Sequence, residues 1–442
     1  MATTTLDAAQ HKAARRLLPL LFVCYVLAYL DRVNVGFAQL KMGTDLGFGN
    51  AVYGFGAGIF FVGYFLFEVP SNLILRRVGA RRWIARIMIT WGVVSSLFML
   101  IDSAAGFYLL RFVLGAAEAG FFPGVIYYLT QWFPAARRAR IVALFMTAIA
   151  ASGIVGGPLS GWILATLDQV AGLKAWQWLF LAEGLPSVFA GLVVLSALDD
   201  SIEGAAWLDR DEKAALRAQL AQDDAQKSPM TVGAALRNPA VLLFALIYFC
   251  LVMGLYGIGF WLPQLIKAAG VADPLSIGVA TAVPYAIGAI ALVWVGSRSD
   301  RTGERRGHLI AVAIAGAAGV ATSAFAGPGN TALALGALCL GTAGILAALP
   351  LFWSLPTDVL GGVAAAAGIA LINSFGNLAG FVSPYMVGLI KDATGGTLWA
   401  MVALGASLAL AAALAAVSPR PAPRLAPGSA GVRAPGGDTV VS

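Results

Sequence analysis

The sequence predicts an all-α membrane protein of twelve transmembrane helices in two pseudo-symmetric six-helix halves. Three observations predict it: apolar residues gathered in long runs, basic residues confined to alternate gaps between those runs, and a second half that echoes the first. Of 442 residues, 59% are hydrophobic and 12% charged, with a mean hydropathy of +0.82. One water-soluble core could not bury that much apolar surface. A bilayer core of about 30 Å needs about 20 apolar residues per helix.

Twelve runs satisfy this, at 17–40, 51–75, 83–102, 106–130, 139–165, 176–198, 240–267, 275–297, 308–326, 329–351, 363–389 and 397–417. They are rich in Ala, Val, Leu and Gly and lack the alternation of membrane β-strands, so helices are the expected spanning form. Residues 1–16 are polar and no removable signal peptide is predicted; the first helix is expected to act as an uncleaved signal.

The basic residues orient the chain. Of 29 Lys and Arg, 23 fall on one side: in the N-terminal segment, in alternate loops, in the 199–238 loop and in the tail. Lys41, Lys174, Lys267 and Lys391 fall on the other, and Arg32 and Arg111 lie within the membrane. An even number of crossings with both termini on the basic side predicts an inner (plasma) membrane protein with both termini cytoplasmic. A net charge of +7 spread over short membrane loops excludes a nucleic-acid module. Cys24, Cys250 and Cys339 lie in three different runs, without metal-ligand spacing, and read as packing residues. His11 and His308 lie outside the apolar interiors. No cofactor, metal cluster, nucleophile or phosphate loop is expected, which argues against an enzyme.

Residues 199–238 form the longest polar stretch, with a short surface helix expected in the middle. They separate a first bundle, 17–198, from a second, 239–418; residues 419–442 are Pro-, Ala- and Gly-rich and expected to be a disordered cytoplasmic tail. After the second helix stands Asn72-Leu-Ile-Leu-Arg76-Arg77-Val-Gly79-Ala-Arg81-Arg82; after the eighth stands Gly296-Ser-Arg-Ser-Asp300-Arg301-Thr-Gly303-Glu-Arg305-Arg306. The two are 224 residues apart and end alike. Gly153-Ile-Val-Gly156-Gly157-Pro158 in the fifth helix is echoed by Gly380-Phe-Val-Ser383-Pro384 in the eleventh. Duplication of a six-helix unit marks a transporter with its site near the midplane between the halves.

The Gly296–Arg306 segment resembles the short cytoplasmic-loop motif of the major facilitator superfamily. Tyr29-Leu-Asp31-Arg32-Val-Asn34-Val-Gly36 and Arg111-Phe-Val-Leu-Gly115-Ala-Ala-Glu118-Ala-Gly120-Phe-Phe-Pro123 resemble its anion:cation symporter branch, which includes carriers of tartrate, phthalate, sugar acids and sialin-like substrates. The resemblance covers all twelve helices. It implies the major facilitator fold, a small carboxylate substrate and coupled protons; a monomer is expected. In the first-half loop Arg76 stands where the motif has an acid and Asn72 where it has Gly, so the usual charge latch is expected mainly in the second half, at Gly296, Asp300, Arg301 and Gly303, with Arg77 and Gly79 as the first-half motif residues.

An ionisable group inside a membrane costs several kcal/mol unless paired or hydrated. Six candidates stand there: Asp31, Arg32, Glu68, Arg111, Glu118 and Glu183. Arg111 and Glu118 are seven residues apart on one helix face, about 10 Å along the axis. Asp31 and Arg32 point about 100° apart and are free to do different jobs. An arginine fork suits a carboxylate ligand; a desolvated carboxyl suits a proton. The same charges would also serve as ion pairs locking the first helix to the fourth. By the resemblance, Asp31 and Glu118 are the proton-coupling acids and Arg32 the substrate ligand. Arg111 either binds substrate or sets the protonation of those acids. Glu68 and Glu183, beside proline-broken segments, are expected to be structural or gating.

Tyr64, by the resemblance, offers its hydroxyl to the substrate, or simply packs. Asn373 and Asn377, four residues apart in an apolar run, need partners and would contact the substrate or neighbouring helices. Phe352-Trp353-Ser354 would form a wall. The second half has no ionisable residue at the centre of its helices, so coupling is expected in the first. The reading is a proton-coupled symporter of a small organic anion; an anion exchanger not driven by protons is the alternative.

Overall fold

A computed structural model describes residues 2–225, 237–326, 329–359 and 364–419. The middle of the 199–238 loop and the tail beyond 419 lie outside them. Among the described residues the secondary structure is helical throughout, and each of the twelve predicted runs is occupied by helix. Eleven stretches are long and apolar enough to cross a membrane; the helix Ala364–Thr394 fills the place of the eleventh predicted run.

Three spans are each made of two helical segments. The first runs Ala2–Val33 and Val35–Leu46, joined at Asn34, whose backbone stays helical (φ −58°, ψ −28°). The fourth runs Ala104–Glu118 and Phe121–Thr130. Between these segments Gly120 takes φ +86°, a left-handed conformation that side chains with a Cβ avoid. The fifth runs Ala135–Met146 and Ala148–Thr166. The first span is also longer than its apolar run. Its N-terminal turns stay helical because they have a partner, the linker helix Arg210–Ala225. Ala9, Ala13 and Leu216 are buried there, and Lys12 Nζ lies 2.6 Å from Glu212 Oε1.

The second span is Asn50–Val78, the third Ala80–Leu97 and the sixth Ala175–Ala197. In the first half, the third packs on the sixth and the second on the fourth. Gly115 makes the second contact possible: a Cβ there would collide with the carbonyl of Phe60. The seventh and eighth spans are Pro239–Ala268 and Pro274–Thr302; the ninth and tenth are Arg306–Phe325 and Thr331–Val359; the twelfth is Leu398–Val417. The halves meet along the second and eleventh spans and along the fifth and eighth. Gly153, Gly157 and Gly161, spaced four residues apart on the fifth span, lie at the latter contact. A Cβ at Gly157 would stand 2.6 Å from Gly278 O, and one at Gly153 would enter the Tyr285 ring. Large apolar side chains face outward, among them Leu109, Phe189 and Trp294, each more than 60% exposed. A bilayer covers such a surface; water would not tolerate it.

The halves are tied together away from the basic face. Asp392, in the last turn of the eleventh span, takes 2.7 Å bonds from Asn50 Nδ2 and Ala51 N–H at the start of the second. A carboxylate from one half thus caps a helix N-terminus of the other. Tyr53 OH donates to Phe260 O at 2.5 Å and Gln264 Nε2 to Gly36 O at 3.0 Å. Replacing Asp392 by Ala should speed amide exchange over residues 50–54 by about tenfold, the scale of one charge-assisted bond. Asp392→Asn, which keeps an acceptor oxygen, should have a smaller effect. Hydrogen-exchange mass spectrometry in detergent measures both.

On the basic face the loop motifs differ between halves. Gly303 caps the eighth span in the left-handed region at φ +66°. Asp300 lies 3.6 Å from Arg305, while a Cβ at Gly296 would meet open space. Partial burial works against Glu304, yet the Gly307 and His308 N–H groups outweigh it and hold that carboxyl below its usual value. In the first-half loop, where the motif's acid is missing, an acid arrives from beyond the sixth span. Asp200 accepts from the Arg81 N–H at 2.8 Å and lies beside Gly79 (φ +95°).

Candidate transport site

Arg32 is the centre of the site. It is 7% exposed, and its guanidinium sits among the rings of Tyr29, Phe60, Phe61 and Tyr64, with centroids 5.3–5.9 Å away. Nη2 donates to Glu118 Oε1. Nη1 donates to Tyr256 OH at 3.1 Å, across the boundary between the halves. Nε is buried without a partner, and so is the hydroxyl of Tyr29. The guanidinium therefore holds an unspent donor inside an aromatic box. This is where a second carboxylate could replace Glu118.

Asp31, the next residue, faces elsewhere, as a 100° step requires. Its carboxylate takes bonds from Trp91 Nε1 (2.8 Å), Ser95 Oγ (3.0 Å) and Ser187 Oγ (2.8 Å). It ties the first, third and sixth spans together through neutral donors, with no arginine or lysine bonded to it among the described residues. Glu118 and Asp31 are thus two acids in different surroundings, one ion-paired and one not.

Arg111 is fully buried. In this conformation its fork holds two carbonyls of the second span: Nε donates to Gly56 O (3.1 Å) and Nη2 to Ala57 O (3.0 Å). It shares the Phe60 ring with Arg32, 5.0 Å from the centroid. Tyr64 is buried against Phe60. Glu68, one turn on and 8% exposed, lies 3.5 Å from Asn373 Nδ2 of the eleventh span. Asn377 is half-buried on the same helix face. Trp353 and Phe352 pack on Tyr248, making an aromatic wall on the second-half side. Glu183 is set apart from these, in the first-half core beside Ser160.

Residue-type reasoning did not single out Tyr256, since a tyrosine in an apolar run is unremarkable. The internal repeat carried the signal. Arg32 and Tyr256 are 224 residues apart, the same offset that relates the two loop motifs. By that offset Tyr256 stands in the second-half sequence where Arg32 stands in the first, and the two side chains bond across the halves.

Two six-helix halves with a buried, charged, aromatic-lined cluster between them are the architecture of a multi-pass membrane transporter. Residues 21–384 match the Major Facilitator Superfamily, and the chain belongs to that family. It is 49% identical over 386 residues to a "Putative metabolite transport protein NicT" of Pseudomonas putida, covering 87% of this chain and 88% of the relative. It is 46% identical over 415 residues to a "Putative tartrate transporter" of Agrobacterium vitis, covering 93% and 92%. It is 40% identical over 388 residues to the inner membrane transport protein RhmT of Escherichia coli, covering 87% and 89%. Among solved structures, a D-xylose-proton symporter superposes with a TM-score of 0.72 at 14% identity, covering 92% of this chain and 98% of that one. A bacterial homologue of the lysosomal transporter Spinster, in an inward-facing and occupied conformation, gives 0.71 at 16%, covering 91% and 96%. These structures share the fold.

Proposed function

We propose that the chain is a proton-coupled symporter of a small organic anion in the inner membrane, with both termini in the cytoplasm. The observation that carries this is the Arg32–Glu118 pair inside an aromatic box, completed by Tyr256 from the other half. A buried arginine whose partner is a titratable acid is a switchable carboxylate site. With Glu118 ionised, the arginine is occupied; with Glu118 protonated, the fork is free for a substrate carboxylate. The relatives named for tartrate favour a hydroxy-dicarboxylate. Asn373, Asn377 and Tyr64 would meet its hydroxyls.

The basic loops support the orientation. In that orientation the halves touch on the periplasmic side, through Asp392 and the second span, and the pair-closed site is the state left after cytoplasmic release. The cycle follows. Protons from the periplasm load Glu118 and Asp31, and Arg32 takes the substrate. The neutralised site lets the halves rock. The higher cytoplasmic pH removes the protons, and Glu118 recaptures Arg32 as the anion leaves. Differential affinity for the two orientations supplies the coupling.

The test is uptake into proteoliposomes with an inward proton gradient, screening labelled hydroxy-dicarboxylates, sugar acids and aromatic acids. Concentrative uptake that collapses with a protonophore is expected. Uptake only against a preloaded anion, indifferent to the gradient, would replace this reading with exchange.

A further inference from the structure

The first half contains a second buried acid that the cycle above does not use. Glu183, in the sixth span, is 1% exposed. Oε1 accepts from Ser160 Oγ of the fifth span at 2.6 Å; Oε2 has no partner. Near it is Asn34 of the first span, between the segments Ala2–Val33 and Val35–Leu46. Asn34 is 2% exposed, and both its side-chain oxygen and its nitrogen are buried without a hydrogen bond. Unpaired polar atoms on both sides of one gap are costly, and a proton on Glu183 would relieve two of them at once.

We infer that Glu183 is a proton-binding site whose occupancy is read by Asn34. A protonated Glu183 donates its O–H to Asn34 Oδ1 and satisfies both orphan oxygens with one bond. An ionised Glu183 instead accepts from Asn34 Nδ2, which requires the amide to turn over. One proton therefore selects between two settings of a side chain at the first-span junction, two residues from Arg32.

From the first span the titratable group facing Glu183 is Asp31, which bonds Ser187 one turn along the sixth. The fifth span presents Ser160. The third presents Gly92 and Ser96 against Gly184; its Arg86 stacks on Trp83 toward the basic face, 3.8 Å from the ring centroid. On the Val35–Leu46 helix, Asp45 is taken by Trp176 Nε1 and Lys174, two turns away toward the other face. No lysine or arginine bonds Glu183 among the described residues. Two buried carboxyl groups, Asp31 and Glu183, thus stand in the first-half core with no cation bonded to either among the described residues.

This inference rests on the proton-symport reading for its purpose but not for its test. Infrared difference spectroscopy on the purified full-length transporter, stepped in pH, reports the C=O stretch of each protonated buried carboxyl. Glu183→Gln, which is isosteric with the neutral acid and keeps both bonds, is expected to fold and to remove one titrating band. Proton-driven uptake should then reach its half-maximum at a pH displaced by one unit or more. Asn34→Ala, which keeps the acid and removes its reader, should shift the titration of the same band by about tenfold in proton concentration. Unchanged bands in Glu183→Gln, or an unmoved titration in Asn34→Ala, overturn the inference even if symport is intact. Loss of the band in a protein whose uptake ignores the proton gradient would support the site and sink the symport reading instead.

Discussion

Glu118→Gln is expected to abolish proton-driven accumulation while leaving substrate exchange intact. The glutamine has the shape of the protonated acid but cannot release a proton. Arg32 then keeps Tyr256 as a partner and loses its competing charge permanently. Four consequences follow. The steady-state accumulation ratio across a proteoliposome falls to about one, since no proton movement drives the cycle. Counterflow, in which labelled substrate enters against unlabelled substrate inside, proceeds at a rate near wild type. Its pH dependence flattens, and substrate affinity at alkaline pH rises by about tenfold, because the ion pair that competes with substrate is gone. A purely structural Glu118 would give a different pattern: the fourth span would loosen from the first, and counterflow and accumulation would fall together. If accumulation persists in the mutant, Glu118 is not the coupling acid.

Much of this arrangement was legible in the residues, and the part that was not has a physical reason. The twelve runs could be read because the hydrocarbon thickness fixes the length of apolar sequence whatever the tertiary packing. Arg32 and Glu118 could be read because a charge in a membrane is costly, so its presence already implies a partner or a ligand. The divergence of Asp31 from Arg32 followed from helical geometry. Asp31's actual partners did not, because Trp91, Ser95 and Ser187 are neutral residues that occur in any apolar helix. The break at Ala119–Gly120 was hidden for a similar reason: hydropathy averages over a window and does not see one residue's φ. The Asp392 contact was invisible because it joins two loop-proximal positions 341 and 342 residues apart, and neither is unusual alone. Asp200 illustrates the limit of motif reading. The loop motif lacks its acid in the first half, and the fold brings one to Arg81 from 119 residues away.

The two arginines invite opposite expectations on conversion to lysine, and that contrast tests the assignment of the site. Arg32→Lys keeps a positive charge for Glu118, so the buried acid stays neutralised and the protein should fold. A lysine is a point charge on a flexible stem and cannot span Tyr256, Glu118 and a substrate carboxylate as a planar fork does. The loss is one bidentate, charge-assisted contact, about 1.5–3 kcal/mol, which corresponds to a rise in the KM of uptake of about 10- to 100-fold. Arg111→Lys loses something else. Arg111 bonds the carbonyls of Gly56 and Ala57, on the span that carries Tyr64 and meets the eleventh. A shorter set of donors leaves one carbonyl of that pair without its extra partner. The expected result is a lower thermal midpoint in detergent, with KM changed by less than about threefold. Saturation kinetics of uptake alongside a thermal-shift assay on both variants separate the two roles. A KM that rises in Arg111→Lys and not in Arg32→Lys would exchange them, making Arg111 the ligand and Arg32 the partner that holds Glu118 in place.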